Sequence, residues 1–235
     1  MEMLYRIKFS KLEDVMYISH LQLIKTLRRI VRRSKLPAVF SGGFNPQIKL
    51  SVGPPLAVGI ISRGEYFDLE LAEKLETEVI INRLNNVSPS GVRFIQAVKI
   101  DKSTKSLSSI LNTAVYTINF NFNENLNLKK QKKMLDEFMK EDKIIVVRKR
   151  RNKADREVDL KPRIFSAEIV EKDLWKFAVV TGSRGNVRPE ELNKALMKKY
   201  SSVNKITPLD VIREGVFVNK NNKFYSPYSD SIVRS

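Results

Sequence analysis

The chain has 235 residues, no cysteine, a single histidine and a formal net charge of +17, with a pI near 10.0. That composition excludes disulfides, iron–sulfur ligation and thiol catalysis by this chain, and one histidine gives no basis for a structural zinc site. The surplus of lysine and arginine exceeds what solubility requires and points to a polyanionic partner: nucleic acid, an anionic membrane surface or an acidic protein.

Hydrophobic residues make up 42% of the chain, enough for a sizeable core. The length suits one large or two small domains. No apolar run approaches the roughly 18 residues of a spanning helix, so no transmembrane segment is expected. The first residues open directly into a strand pattern rather than a signal peptide, and a cytoplasmic location is the expectation.

Residues 4–9, LYRIKF, alternate and predict a strand. Between residues 15 and 64 there is no Asp or Glu. A helix is predicted from Ser19, a good N-cap, to the stop before Pro37. Leu23, Ile24, Leu27, Ile30 and Val31 fall within an arc of roughly 120° at helical spacing. Lys25, Arg28, Arg29, Arg32, Arg33 and Lys35 take the other side. A charged helix face is ordinarily a mixed, solvated one. Here a single sign is present, which suits an anion-binding face.

An extended segment follows, then GGFNP at 42–46, where two glycines permit positive φ and Asn45-Pro46 favours a turn. Phe44 and Asn45 are candidates for contact with a base, with Lys49 beside them; the plain alternative is a loop whose Phe plugs the core. Extended or apolar segments are expected at 47–52 and 56–61, a strand at 65–71, a helix at 76–85 and a strand at 92–99. The polar stretch 101–112 reads as an exposed connection. Beyond it come a strand at 113–122, a basic helix at 126–140, a strand at 144–147, a hairpin of 163–170 with 174–181, a helix at 189–200 led by Pro189, Glu190 and Glu191, and final strands at 211–218 and 223–225.

Each half thus approximates β-α-β-β-α-β. The expectation is an α+β chain of two ferredoxin-like domains with antiparallel sheets, residues 1–104 and 113–235, joined by a linker at 105–112.

The run Arg148, Lys149, Arg150, Arg151, with Lys153 and Arg156, follows a strand and fits phosphate contact as well as a solvated loop. The loop GSRGNVRP at 182–189 sits between a strand and a helix. Gly182, Arg184, Gly185 and Arg188 are its candidate anion-binding residues, although the Gly-Lys-Ser/Thr ending of a P-loop is missing. Asp155, Glu157 and Asp159 lie among cations, and their spacing does not establish a metal site. His20, at the predicted helix start, is the one catalytic candidate, a base acting on a 2′-hydroxyl; no second histidine exists to act as acid. Neither a metal nor a cofactor is expected.

The blocks YRIKFSK at 5–11, ISHL at 18–21, SGGFNP at 41–46, PLAVG at 55–59 and GEYFDLEL at 64–71, with DREVDLKP at 155–162 and GNVRPEEL at 185–192, resemble the radical SAM-linked protein family, found beside or fused to radical SAM proteins. The family continues its SxGFNP block with His-Pro-Arg, where this chain has Gln47, Ile48 and Lys49. The resemblance implies work alongside a radical SAM partner, whose cluster chemistry this cysteine-free chain cannot itself perform, and a link to RNA or ribosome modification.

The leading expectation is a non-catalytic, RNA-binding or substrate-presenting accessory protein, with tRNA or rRNA as the RNA. The alternatives are a metal-independent RNA-processing enzyme using His20, and an adaptor docking an acidic protein.

Overall fold

The computed structural model describes residues 2–149, 154–183, 185–229 and 232. In the first half, the alternating sequence of β1 (Met3–Lys11) turns Tyr5, Ile7 and Phe9 to one face, where they are buried. β3 (Ile61–Leu71) runs antiparallel to it in a register that sets Tyr5 against Leu69 and Ile7 against Phe67. β4 (Val92–Ile100) lies antiparallel on the other side of β1, and β2 (Leu50–Val52) pairs with Leu69 to Phe67 of β3. The order is therefore β4-β1-β3-β2.

Helices α1 (His20–Arg33) and α2 (Thr77–Asn85) bring Leu23, Leu27, Ile30, Val31, Ile80 and Leu84 into the same core. Phe9, Phe67 and Phe94 meet at its centre with ring centroids 5.7–6.2 Å apart. Burying each such side chain contributes about 1.5–3 kcal/mol.

The second half repeats this strand order with an insertion. β5 (Thr113–Asn119) is flanked by β9 (Leu174–Val180) and β10 (Val211–Lys220), and β8 (Ile164–Glu171) forms the edge beyond β9, giving β10-β5-β9-β8 with antiparallel neighbours. Two helices, α4 (Leu128–Met139) and α5 (Pro189–Lys199), accompany these strands. The inserted element is a separate two-stranded sheet of β6 (Ile145–Arg148) and β7 (Arg156–Asp159). Its inner residues Val146 and Val158 reach the core around Trp175, Phe177 and Phe120. Buried Gln131 of α4 fixes that core by accepting from Trp175 Nε1 at 3.1 Å and donating to Asp173 at 2.6 Å. β10 then turns through Asn221-Asn222, both at positive φ, into β11 (Lys223–Tyr225), a turn whose twist matches that of the strands it joins.

The halves share one sheet. β10 pairs in parallel with the start of β3, Ile212 beside Ile61 and Arg213 beside Ser62, producing a nine-stranded, mostly antiparallel α+β arrangement. The stretch expected to be an exposed connection contains α3 (Leu107–Ile110) and buries Leu107 and Leu111. It also supports buried Arg6, which forks onto Asp68 at 2.8 and 3.0 Å and donates to the carbonyls of Lys105 and Pro227. The apolar run expected at 56–61 buries Leu56 and Ile60 from a loop. Strand β7 falls where the sequence shows only mixed charge, because Val158 alone of its four residues faces inward.

Candidate nucleic-acid interface

α1 begins with a capping box: the Ser19 hydroxyl accepts from the Gln22 amide, and the Gln22 side chain accepts from the Ser19 amide. Its apolar stripe is buried, which leaves Lys25, Arg29, Arg32 and Arg33 exposed on the outer face. Among the described residues, none of the four has a carboxylate within 4.0 Å. Arg28 is half-buried, and its Nε is enclosed without a hydrogen-bond partner. Like charges held this close repel one another unless an anion joins them, so the face is arranged for attraction rather than for internal pairing.

Three residues after α1 the chain enters a projecting hairpin. Its arms are held by the Phe40–Ile48 bridge and by Ser41 donating to Gln47 at 2.8 Å, and its base is tied to β3 through Ala38 and Leu71. The tip is 41–47. Gly43 takes φ 97°, a value closed to most side chains, which turns Phe44 outward to full exposure. Asn45 accepts from Gln47 Nε2 at 3.2 Å and is also exposed. Lys49 at the hairpin base is partly neutralised by Glu70 at 3.3 Å.

His20 is the first residue of α1 and half-buried. Burial holds its imidazole below the ordinary value, with the charges of Glu65 and Arg213 acting on it in opposite directions. It is therefore neutral at physiological pH. The charges acting on it are ones the sequence did not disclose: the buried Glu65–Arg213 pair, which acts also on Lys11, itself buried and donating to the Met16 carbonyl at 2.7 Å. These residues come from three distant segments, and no spacing links them.

The candidates in the second half form a different set. Arg148 forks onto buried Glu191 at 2.7 and 2.8 Å and also donates to the Asn186 carbonyl. It pins the β6–β7 hairpin to the start of α5, and Glu191 raises its pKa further. Arg148, Lys149, Arg156 and Arg188 line one groove with Lys194, a cation that sequence reasoning passed over. Lys194 stands in an ordinary helix face and carries no signal by itself.

Gly182 and Gly185 form a turn in which the Gly185 amide is committed to the Gly182 carbonyl at 3.2 Å. A Cβ on Gly185 would collide with Arg163 Nη1, so the glycine makes room for that guanidinium. Arg150, Arg151 and Arg184 lie outside the described residues. Asp159 accepts from the amides of Ile144 and Lys161, both at 2.9 Å. Among the described residues no three His, Asp or Glu side chains gather as a metal site, and no helix is long and apolar enough to cross a membrane.

An α+β chain on one large sheet, carrying a cationic helix and a projecting aromatic loop, is the class that fold and site define. The chain belongs to the DUF2344 family, described as an uncharacterized protein conserved in bacteria, whose model matches residues 4–189. No curated protein gives a significant match. Among solved structures, it is similar to a chain in the crystal structure of a Cbf5–Nop10–Gar1 complex at 11% identity and a TM-score of 0.49, covering 89% of this chain. This protein spans 47% of the length of that chain, and a likeness of this size carries no argument about function.

Proposed function

We propose that the protein binds RNA through the outer face of α1 and the 41–47 loop, as a non-catalytic accessory presenting its RNA to a separate enzyme. The observation that carries this reading is the row of exposed cations on α1, unpaired among the described residues, followed by the exposed ring of Phe44 at the tip of the next hairpin. Cations hold phosphates, and an exposed ring stacks on an unpaired base.

Each half is read as a ferredoxin-like unit, on the strength of the matching orders β4-β1-β3-β2 and β10-β5-β9-β8. A structured cytoplasmic RNA such as tRNA or rRNA is the proposed ligand. A radical SAM protein is the proposed partner, on the resemblance of the sequence blocks alone.

The test is salt-dependent binding of the purified protein to tRNA, rRNA fragments and duplex DNA of matched length. Affinity should fall by roughly 0.7–0.9 log units per neutralised phosphate for each tenfold rise in salt. One RNA class should outcompete DNA near physiological salt. The variant Arg29→Glu/Arg32→Glu/Arg33→Glu should fold, bind weakly and show a shallower slope. Equal binding of every polyanion would overturn the reading in favour of an acidic protein partner. RNA cleavage that disappears in His20→Ala would overturn the non-catalytic part.

A further inference from the structure

We propose that the groove between the β6–β7 hairpin and α5 binds a small phosphorylated ligand of nucleotide size. The inference is independent of the RNA reading, which rests on α1. The groove encloses about 530 Å³, within the roughly 300–1,000 Å³ usual for small-molecule sites.

Its charge is arranged on two facing walls. Arg148, Lys149 and Arg156 come from the hairpin, and Arg188 and Lys194 from the start of α5. Arg148 is locked in place by Glu191 and Asn186, so the groove edge is fixed before any ligand arrives. Lys149, Arg156, Arg188 and Lys194 are exposed, and among the described residues none has a carboxylate within 4.0 Å. Glu191 is already neutralised by Arg148, which leaves Glu190 as the one uncompensated acid among the described residues lining the groove.

Two facing cationic walls suit a ligand whose negative charges are clustered. A nucleic-acid backbone spreads its charges along a line and is better served by a ridge such as α1. The groove also has an apolar part: Val147 is 54% exposed there, beside Val146, and offers a surface for the organic portion of a nucleotide.

The experiment titrates the full chain with ATP and with inorganic tripolyphosphate by calorimetry at about physiological ionic strength. Binding of either probe is expected. Arg156→Glu/Lys194→Glu should weaken it at least tenfold, while Arg29→Glu/Arg32→Glu/Arg33→Glu on α1 changes it less than twofold. Arg148 is left intact because its loss strands the buried Glu191 carboxylate. If the double variant does not fold, Lys149→Glu, exposed just past the end of β6, takes its place. ATP binding more tightly than tripolyphosphate identifies a nucleotide; equal binding identifies an inorganic polyphosphate. The proposal is overturned if neither probe binds, if the groove variants bind like wild type, or if a single-stranded RNA occupies the groove and ATP does not compete.

Discussion

Arg213 and Glu65, 148 residues apart, form a doubly hydrogen-bonded ion pair at 2.7 and 2.6 Å with both side chains buried, where β10 meets β3. The rest of the guanidinium donates to the carbonyls of Pro54 and Pro55, and Ser62 donates to Glu65 at 2.5 Å. The parallel contact between the two halves spans only two residue pairs, so this pair is central to the join. Removing one partner leaves a buried charge alone, at a cost of about 3–5 kcal/mol. Arg213→Met is expected to lower stability by that amount in urea unfolding. Arg213→Met/Glu65→Leu should recover much of the loss, because no charge is left stranded. A single variant within 1 kcal/mol of wild type would remove the pair from any role in joining the halves.

Lys11 supplies a prediction in pH. Burial pushes its ammonium down to about 8, Glu65 acting against that and Arg213 with it. The unfolded chain keeps this proton up to the ordinary value of about 10.4. Between pH 8 and that value the unfolded state binds more protons, so stability rises with pH. Burial raises the pKa of Tyr66, Tyr116 and Tyr228, so their ionisation in the unfolded chain, around pH 10, first offsets and then reverses this trend. The thermal midpoint should climb from pH 8 to about 9.5 and fall beyond it. Lys11→Met should abolish the climb, and a wild-type midpoint flat over that range would contradict the buried ammonium.

His20 acts at the other end of the scale. Burial lowers its folded pKa, so in acid the unfolded state takes up a proton that the folded state resists. Stability is then lost as pH falls below about 6.5. His20→Gln should soften that loss in midpoints measured from pH 7 to 5. An unchanged acid limb would show that the imidazole is not held neutral.

The legibility of the chain follows the range of the interactions. The α1 boundaries, its buried Leu23, Leu27, Ile30 and Val31 and its outer cations all follow from helical spacing and a local cap, so the sequence was sufficient there. The strand alternation of β1, β3 and β5 was readable for the same reason. Arg6–Asp68, Arg213–Glu65 and Arg148–Glu191 were not, because each pair joins segments from 43 to 148 residues apart. The sequence therefore presented Arg148 as a free cation when it is also a strut. The groove beside it needed Arg156 and Lys194 brought together by folding.

Lys35 sits at φ 55°, just past the end of α1, where the left-handed conformation favours glycine. Its side chain is exposed, so the change Lys35→Gly removes no core contact. A left-handed L-residue costs roughly 1–2 kcal/mol, offset in part by the greater freedom of glycine in the unfolded chain. Lys35→Gly is expected to raise stability by about 0.5–1 kcal/mol in chemical denaturation. It also removes one cation from the end of the proposed RNA face, so RNA affinity should fall slightly while stability rises. A destabilised variant would mean that the lysine side chain makes a compensating contact.

Phe44 separates stability from recognition most cleanly. An exposed phenyl ring at a loop tip contributes nothing to the core, and its removal exposes no other apolar side chain. Beyond their own chain neighbours, Gly42 and Gly43 have no atoms within 4 Å of where a Cβ would stand, so the tip is open beside the ring. Phe44→Ala should leave the unfolding midpoint unchanged. If the ring stacks on a base, its loss costs about 1–3 kcal/mol of binding, roughly 5- to 150-fold in affinity. The salt slope should stay the same, because no phosphate contact is lost. Phe44→Trp should restore binding. Unchanged affinity in Phe44→Ala, set against a large loss in the α1 charge variant, would confine recognition to phosphates and leave the loop without a role in it.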